Sequence, residues 1–385
     1  MSLLEITAGY MPLVDAAPLI VAKEMGFAEE EGLALDLMPS PSWSTLRDML
    51  AFGQIQAAHM LSPVPVASWL GLMNGLPKLQ ALSVMSMNGN VIGVSPTIAD
   101  ALEALGHSFD FENAKAAALA VAALPRPLRV GVPFLLSMHA ELVSLWLSSA
   151  GLTAGKDFQI HAVPPTIMAQ AIRNGDLDLF CVGEPWGSVT VETADGALLL
   201  PGAAIWSAAP EKVLATRADW TDNHPEPASR LIRAVWRAGE WLDQTAKHTA
   251  LAELLARKDY VGVASDLVDR ALSGRLMINS RGEQRSCAHF LQFHKEAATF
   301  PWRSQEAWIA ERLAKRFTPS VAFSGQSFRC DLYRAALEPL GVAMPLSSSK
   351  VEGALGSRSH VRGQSGSLSL GANRFFDGQV FDPTS

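Results

Sequence analysis

Cysteine is scarce in this chain: of 385 residues only Cys181, Cys287 and Cys330 carry a thiol. They lie far apart and leave one unpaired under any single bridge, so a disulfide framework or a thiolate metal site is not expected, and a reducing compartment fits best. Charge is sparse as well, with 18% Asp, Glu, Lys and Arg, 38 acids against 31 bases and a formal charge of −7. A broad phosphate-binding face needs clustered Lys and Arg, so direct binding of nucleic acid is not expected. Apolar runs are short. Ala116 to Leu124 is well below the roughly 20 residues of a membrane helix, which argues against a membrane span. The motifs G-x-G-x-x-G, G-x-x-x-x-G-K-[ST], H-E-x-x-H, C-x-x-C and G-x-S-x-G are also missing, so nucleotide, zinc and hydrolase chemistries lose their usual support. Ser347 to Lys350 matches S-x-x-K only inside a Ser-rich tail, and His289 and His294 near Cys287 would fall on different faces of a helix. No catalytic constellation, cofactor or metal is expected.

What is present is 49% apolar residues, enough for a globular protein of two lobes. In the first 200 residues short apolar runs alternate with helical patterns, the signature of an α/β fold with largely parallel sheets. Strands are expected over Leu4 to Tyr10, Leu33 to Met38, Gln56 to Leu61, Leu79 to Met87 and Val91 to Val94. Helices are expected over Pro18 to Glu30 and from Trp43 to about Phe52, the second capped by Ser42. An Ala-rich stretch at 97–127 precedes a smaller βαβαβ unit: strands Arg129 to Pro133, Phe158 to Val163 and Leu177 to Val182, with helices Met138 to Ala150 and Pro165 to Asn174. Longer helices follow at Pro225 to Ala246, Ala250 to Ala256 and Gln305 to Phe317. The reading divides the chain into a first lobe (1–95), an inserted α/β lobe (96–190), a return to the first lobe (191–345) and a loop-like or partly disordered Ser/Gly-rich tail (346–385). Two crossings between lobes make a cleft, and such clefts hold small ligands. The first cation is Lys23 and a strand already begins at Leu4, which leaves no room for a signal peptide and points to a cytoplasmic protein.

The segment Pro12 to Leu19, with Ala22-Lys23-Glu24-Met25-Gly26-Phe27, resembles the opening of the nitrate- and bicarbonate-binding receptor proteins of ABC transport. Ser42-Trp43, Arg47 to Gly53, Ala57 to Pro63, Asn88-Gly89-Asn90, Cys181 to Trp186, Pro210 to Leu214, Phe300 to Ser304 and Asp331 to Arg334 continue that resemblance over most of the chain. It implies a type II periplasmic-binding-protein fold, two α/β lobes closing on a small anion. The missing leader, and the tail with Phe375-Phe376-Asp377-Gly378 and Phe381-Asp382-Pro383, resemble the cytoplasmic NasS-type nitrate/nitrite sensors, whose partner is a NasT-type antiterminator. A transport receptor is the alternative. Thiamine-pyrimidine synthases also look like this fold, but the Cys-rich motif of those enzymes is not found.

Nitrate is a flat monoanion with three acceptor oxygens, so its pocket needs several donors, limited positive charge and a shaped wall. By the resemblance Lys212 is the cation, His139 a donor from the second lobe, Asn90 an amide donor and Trp43 a wall or indole N–H donor. Backbone around Val182 and Gly183 and the ring of Pro165 complete the enclosure. A lysine at 212, where the bicarbonate-binding relatives carry an acidic residue associated with calcium, favours an anion without a metal. Taken singly, Lys212 beside Glu211 also reads as a solvated charge, His139 as a capping or surface residue, Trp43 as core and Asn90 as turn chemistry.

Overall fold

The computed structural model describes residues 3–194, 196–244 and 247–384. Its first lobe is built from β1 (Leu4–Tyr10), α1 (Ala17–Glu24), α2 (Phe27–Glu30), β2 (Leu33–Pro39), α3 (Trp43–Ala51), β3 (Ala57–Leu61), α4 (Pro63–Trp69) and β4 (Leu79–Asn88). Ser42 caps α3 as expected, its hydroxyl accepting the Thr45 N–H at 3.1 Å. The single helix expected over Pro18 to Glu30 is broken, because Gly26 takes a left-handed φ of 79° and restarts the chain as α2.

The chain then leaves the first sheet. Gly89 (φ 88°) separates β4 from β5 (Asn90–Val94); its N–H donates to the Phe290 carbonyl and its carbonyl accepts from the Glu184 N–H. A side chain at Gly89 would press on Leu291, and the positive φ excludes most residues besides. The second lobe continues through α5 (Pro96–Ala104), α6 (Ala114–Ala122), β6 (Leu128–Val132), α7 (Met138–Ser149), β7 (Phe158–Ala162), α8 (Met168–Arg173), β8 (Leu179–Gly183), α9 (Trp186–Ala194) and β9 (Ala197–Pro201). Its sheet has the order β7-β6-β8-β5-β9. Strand β6 runs parallel to β7 and β8, whereas β5 is antiparallel to both of its neighbours.

The return strand β10 (Pro210–Arg217) inserts antiparallel between β3 and β4, giving the first sheet five strands ordered β4-β10-β3-β1-β2. Helices α10 (Ala218–Asn223), α11 (Pro225–Leu242), α12 (His248–Ala256) and α13 (Ser265–Ser273) follow, then β11 (Arg275–Met277), β12 (Gln284–Ser286) and β13 (Leu291–Gln292), which adds to the edge of β4. Thr245 and Ala246, expected to end the long helix, lie outside the described residues. Helix α11 buries Leu231, Ile232, Val235, Ala238 and Leu242, while Arg233 and Arg237 on its other face pair with Glu31 and Glu30.

Strand pairing moves the expected lobe boundaries. Breaks at 95/96 and 190/191 would cut β5 and β9 from the sheet to which both are hydrogen-bonded; the crossings lie at Gly89 and between Pro201 and Pro210. Composition shifts after the hinge, but hydrogen bonding decides it.

The tail also departs from the loop expected of it. After α14 (Arg303–Arg316) and α15 (Cys330–Leu337), the chain forms the hairpin β14 (Ser359–Gly363) and β15 (Gly366–Leu370). Beyond it, Phe375 packs against Trp206 and Trp308 at ring-centre distances of 4.8 and 5.8 Å. Asn373 accepts the Trp206 indole N–H at 2.7 Å, and buried Glu352 accepts from Ser304 and Asn373 at 2.6 Å each. A few aromatic anchors among the Ser and Gly residues bury enough area to order the segment against the second crossing.

Candidate functional site

Between the lobes lies a buried polar cluster drawn from five parts of the chain. Asp15 comes from the turn before α1, His59 from the middle of β3, Glu211 and Lys212 from β10, His139 from the first turn of α7, and Asn90 from the start of β5. Each side chain is at most 2% exposed. Neighbours in a strand ordinarily face opposite ways, yet Glu211 and Lys212 both enter the cluster. The ladder of β10 slips on either side of Lys212, and this irregularity lets the two side chains meet at 3.1 Å.

Lys212 Nζ lies 2.8 Å from Asp15 and 3.1 Å from Glu211. His59 Nε2 is 3.0 Å from Asp15, and across the cleft His139 Nδ1 is 3.0 Å from Glu211. The approaches of Asp15 and of the two imidazoles are close but depart from hydrogen-bond angles, so the Lys212–Asp15 approach is chiefly a charge contact. Asn90 donates to the second oxygen of Glu211 at 2.9 Å. Trp43, at the start of α3, lies under this group: the Lys212 ammonium and the His59 ring are both 5.6 Å from its ring centre.

Burial alone would raise the carboxyl groups of Asp15 and Glu211. Lys212 and His59 beside Asp15, and His139 and Lys212 beside Glu211, more than reverse this and hold both below the usual carboxylate range. Burial would lower the Lys212 ammonium, but the two carboxylates raise it. For His59 burial prevails over Asp15, and the imidazole is pushed below its ordinary value. The cluster thus holds two carboxylates and one ammonium. Besides His59 Nε2 and His139 Nδ1, which face the carboxylates, three further ring nitrogens of these described residues are buried without a hydrogen-bond partner: Trp43 Nε1, His139 Nε2 and His59 Nδ1. The Trp43 indole N–H is a donor for a small acceptor-rich ligand, and an imidazole nitrogen joins it where it carries the proton, so such a ligand can be reached from both lobes. Among the described residues, no group of three or more His, Cys, Asp or Glu is placed to hold a metal ion.

Lys212, His139, Trp43 and Asn90 therefore come together, with two changes from expectation. Lys212 is neither a solvated charge nor a free cation, because two carboxylates face it; and the Asn90 amide donates to Glu211, so it holds that carboxylate in place. Gly183 pairs with Asn90 at the cleft edge of the second sheet, where a Cβ would sit 2.7 Å from Leu13 and 3.9 Å from His139 Nε2. Val182, opposite Val91, and Pro165, buried where the chain leaves β7, add no charged or hydrogen-bonding side chain to the cluster. Sequence reading passed over Asp15, His59 and Glu211. The first two had a signal, a lone polar residue within Leu13-Val14-Asp15-Ala16-Ala17 and within Ala57-Ala58-His59-Met60-Leu61.

The lobes are drawn together around this cluster. The Val14 N–H donates to the Glu184 carbonyl at 3.0 Å, and the Trp186 indole to the Pro12 carbonyl at 2.8 Å. Gly183→Ala is expected to weaken ligand affinity about tenfold by holding Leu13 away from the second lobe, with little change in the fold, as calorimetric titration and circular dichroism would report. Next to it, burial pushes the Glu184 carboxyl up to about 7, with Ser188 the main offset. The folded protein holds this proton more tightly than the unfolded chain, so the group favours folding below pH 4.5 and that contribution is lost as the pH rises through 7. Glu184→Gln is expected to raise the thermal midpoint above pH 7 and to change it little near pH ~5, as scanning calorimetry would measure.

The sequence profile of the NMT1-like family matches residues 3–256. The chain belongs to that family. Among relatives, the nitrate/nitrite binding protein NrtA of Synechocystis sp. is 30% identical over 97% of this chain and 81% of its own length. The protein of the same name from Nostoc sp. is 29% identical over 97% and 82%. The crystal structure of the periplasmic nitrate-binding protein NrtA from Synechocystis superposes with a TM-score of 0.84 at 26% identity, covering 99% of this chain and 96% of that one. This NMT1-like chain therefore has the two-lobed α/β periplasmic-binding-protein fold expected of it.

Proposed function

We propose that the chain is the substrate-binding protein of an ABC-type transporter and takes nitrate or nitrite between its lobes. One observation carries this: a buried cluster whose unpartnered ring nitrogens come from both lobes, the Trp43 indole N–H and an imidazole nitrogen of His59 on one side and an imidazole nitrogen of His139 on the other. A ligand touching both sides binds the closed form better and shifts the lobe equilibrium only by that difference in affinity. The relatives named above are nitrate/nitrite binding proteins, which supports the anion and favours a binding protein over an enzyme. Calorimetric titration with nitrate, nitrite, bicarbonate and sulfate tests the reading. Micromolar or tighter binding of nitrate or nitrite is expected, with Trp43→Phe about tenfold weaker through loss of one N–H to a charged acceptor; no heat with either anion would refute it.

Delivery to a transporter is preferred to the sensor role because one of the relatives named above is a periplasmic nitrate-binding protein. The sensor reading, a cytoplasmic protein that releases a NasT-type antiterminator when the anion binds, is a second proposal. Its support is the tail packed on the second crossing, where hinge bending would be felt by the tail through Trp206, Asn373 and Phe375. Purification with associated proteins from cells grown with and without nitrate tests it: a partner lost on adding nitrate is expected, and an unchanged set of proteins would exclude it.

A further inference from the structure

We infer that Asp15 sets the charge selectivity of the anion site, its buried carboxylate favouring monoanions over dianions of the same shape. The inference rests on the cluster being the anion site. Donors alone cannot make that choice. The Lys212 ammonium and the Trp43 indole N–H serve any oxyanion, and a dianion is drawn to a cation twice as strongly as a monoanion at the same distance. Discrimination against the dianion therefore needs a repulsive group at the site.

Geometry selects Asp15 from the two carboxylates of the cluster. Glu211 is engaged on both oxygens: Lys212 lies 3.1 Å and His139 3.0 Å from Oε1, and the Asn90 amide donates to Oε2 at 2.9 Å. Among the described residues, the Asp15 carboxylate meets Lys212, 2.8 Å from Oδ2, and His59, 3.0 Å from Oδ1, both off hydrogen-bond angles. The His59 imidazole, which burial pushes below its ordinary value, adds little counter-charge at neutral pH. Burial would raise the Asp15 carboxyl, but Lys212 and His59 hold it below the usual carboxylate range, so it stays ionised. It also faces the second lobe: a Cβ built on Gly183 would lie 3.7 Å from Asp15 Oδ2 and 3.9 Å from His139 Nε2. An anion that bridges Lys212 and the second lobe at this point lies beside an ionised oxygen of Asp15, where almost no solvent screens the two charges. The repulsion grows in proportion to the charge of the anion, and this holds for either protonation state of His139.

Calorimetric titration of the whole protein and of Asp15→Asn with nitrate, chlorate and sulfite tests this, at one alkaline pH where sulfite carries two charges. Chlorate and sulfite are pyramidal trioxyanions that differ in charge, and comparing variant with parent cancels the stronger hydration of the dianion. Asp15→Asn keeps the volume of the side chain and leaves Lys212 compensated by Glu211. It is expected to bind nitrate and chlorate about tenfold more tightly than the parent and sulfite about a hundredfold more tightly, because removing one charge counts twice for a dianion. The chlorate-to-sulfite preference therefore falls about tenfold, a change that a merely structural role for Asp15 would not produce. Asp15→Ser gives the same reading where circular dichroism shows Asp15→Asn unfolded. A preference equal to that of the parent, or sulfite binding absent from parent and variant alike, would overturn the assignment. Absence of nitrate and chlorate binding by the parent would instead remove the functional reading on which the inference stands.

Discussion

Lys212→Met is expected to abolish measurable nitrate binding and to lower folding stability by about 3–5 kcal/mol, the usual cost of removing one partner from a buried charge network. The effect is large because the lysine compensates two carboxylates at once, at 2.8 and 3.1 Å, in a place with almost no solvent exposure. The loss should depend on pH. In the parent protein Asp15 and Glu211 titrate below their ordinary values of 3.8 and 4.5, so their contribution to stability is present above those values and is lost as the pH falls. The Lys212 contribution, from a raised group, is present below 10.5 and is lost as the pH climbs past it. Without the ammonium, the carboxylates are best accommodated protonated, so the variant should be least stable at neutral and alkaline pH. Thermal unfolding from about pH 5 to 9 measures this. Asp15→Asn placed on Lys212→Met should recover stability without recovering nitrate binding. A single variant with parental affinity would remove Lys212 from the site.

Glu141→Ala is expected to weaken nitrate binding about tenfold although Glu141 is not among the ligand's partners. Glu141 is fully buried on α7 of the second lobe. It pairs with Arg316 and lies 3.8 Å from Arg312, both on α14, which packs on α4 of the first lobe. Burial raises this carboxyl even against the two guanidinium groups, as expected where desolvation is severe. Removing it leaves two largely buried arginines without their carboxylate in the closed form, whereas opening returns them to water. The penalty therefore falls on closure, by about 1–3 kcal/mol. Small-angle scattering of the nitrate-free variant should show a larger radius of gyration, with the thermal midpoint changed less than the affinity. Unchanged affinity and unchanged scattering would show that α14 does not govern closure.

How far the site could be read from sequence differs residue by residue. Ser42 before an amphipathic run announced α3 and with it the placing of Trp43. His139 was placed at the start of its helix, but its burial was not visible, since position in a first turn does not say which neighbours cover it. Glu211 beside Lys212 looked like a solvated pair because strand alternation sends neighbours to opposite faces; the slip in β10 defeats that rule. Asn90 looked like a ligand donor until the approach of β10 supplied an acceptor for its amide.

The sequence by itself determined the α/β class, most strands of the first 200 residues and the Ser42 cap, because hydrophobic period and cap chemistry act over a few neighbouring residues. Only the tertiary structure decided where the chain crosses between sheets, that the Ser/Gly-rich tail is anchored by Phe375, and that Asp15, His59, Glu211, Lys212, His139 and Asn90 form one network. Those outcomes depend on contacts between residues far apart in the chain, such as the 121 positions separating Asn90 from Glu211. The charge such a cluster can bear is set by its exclusion from water, which no local pattern records.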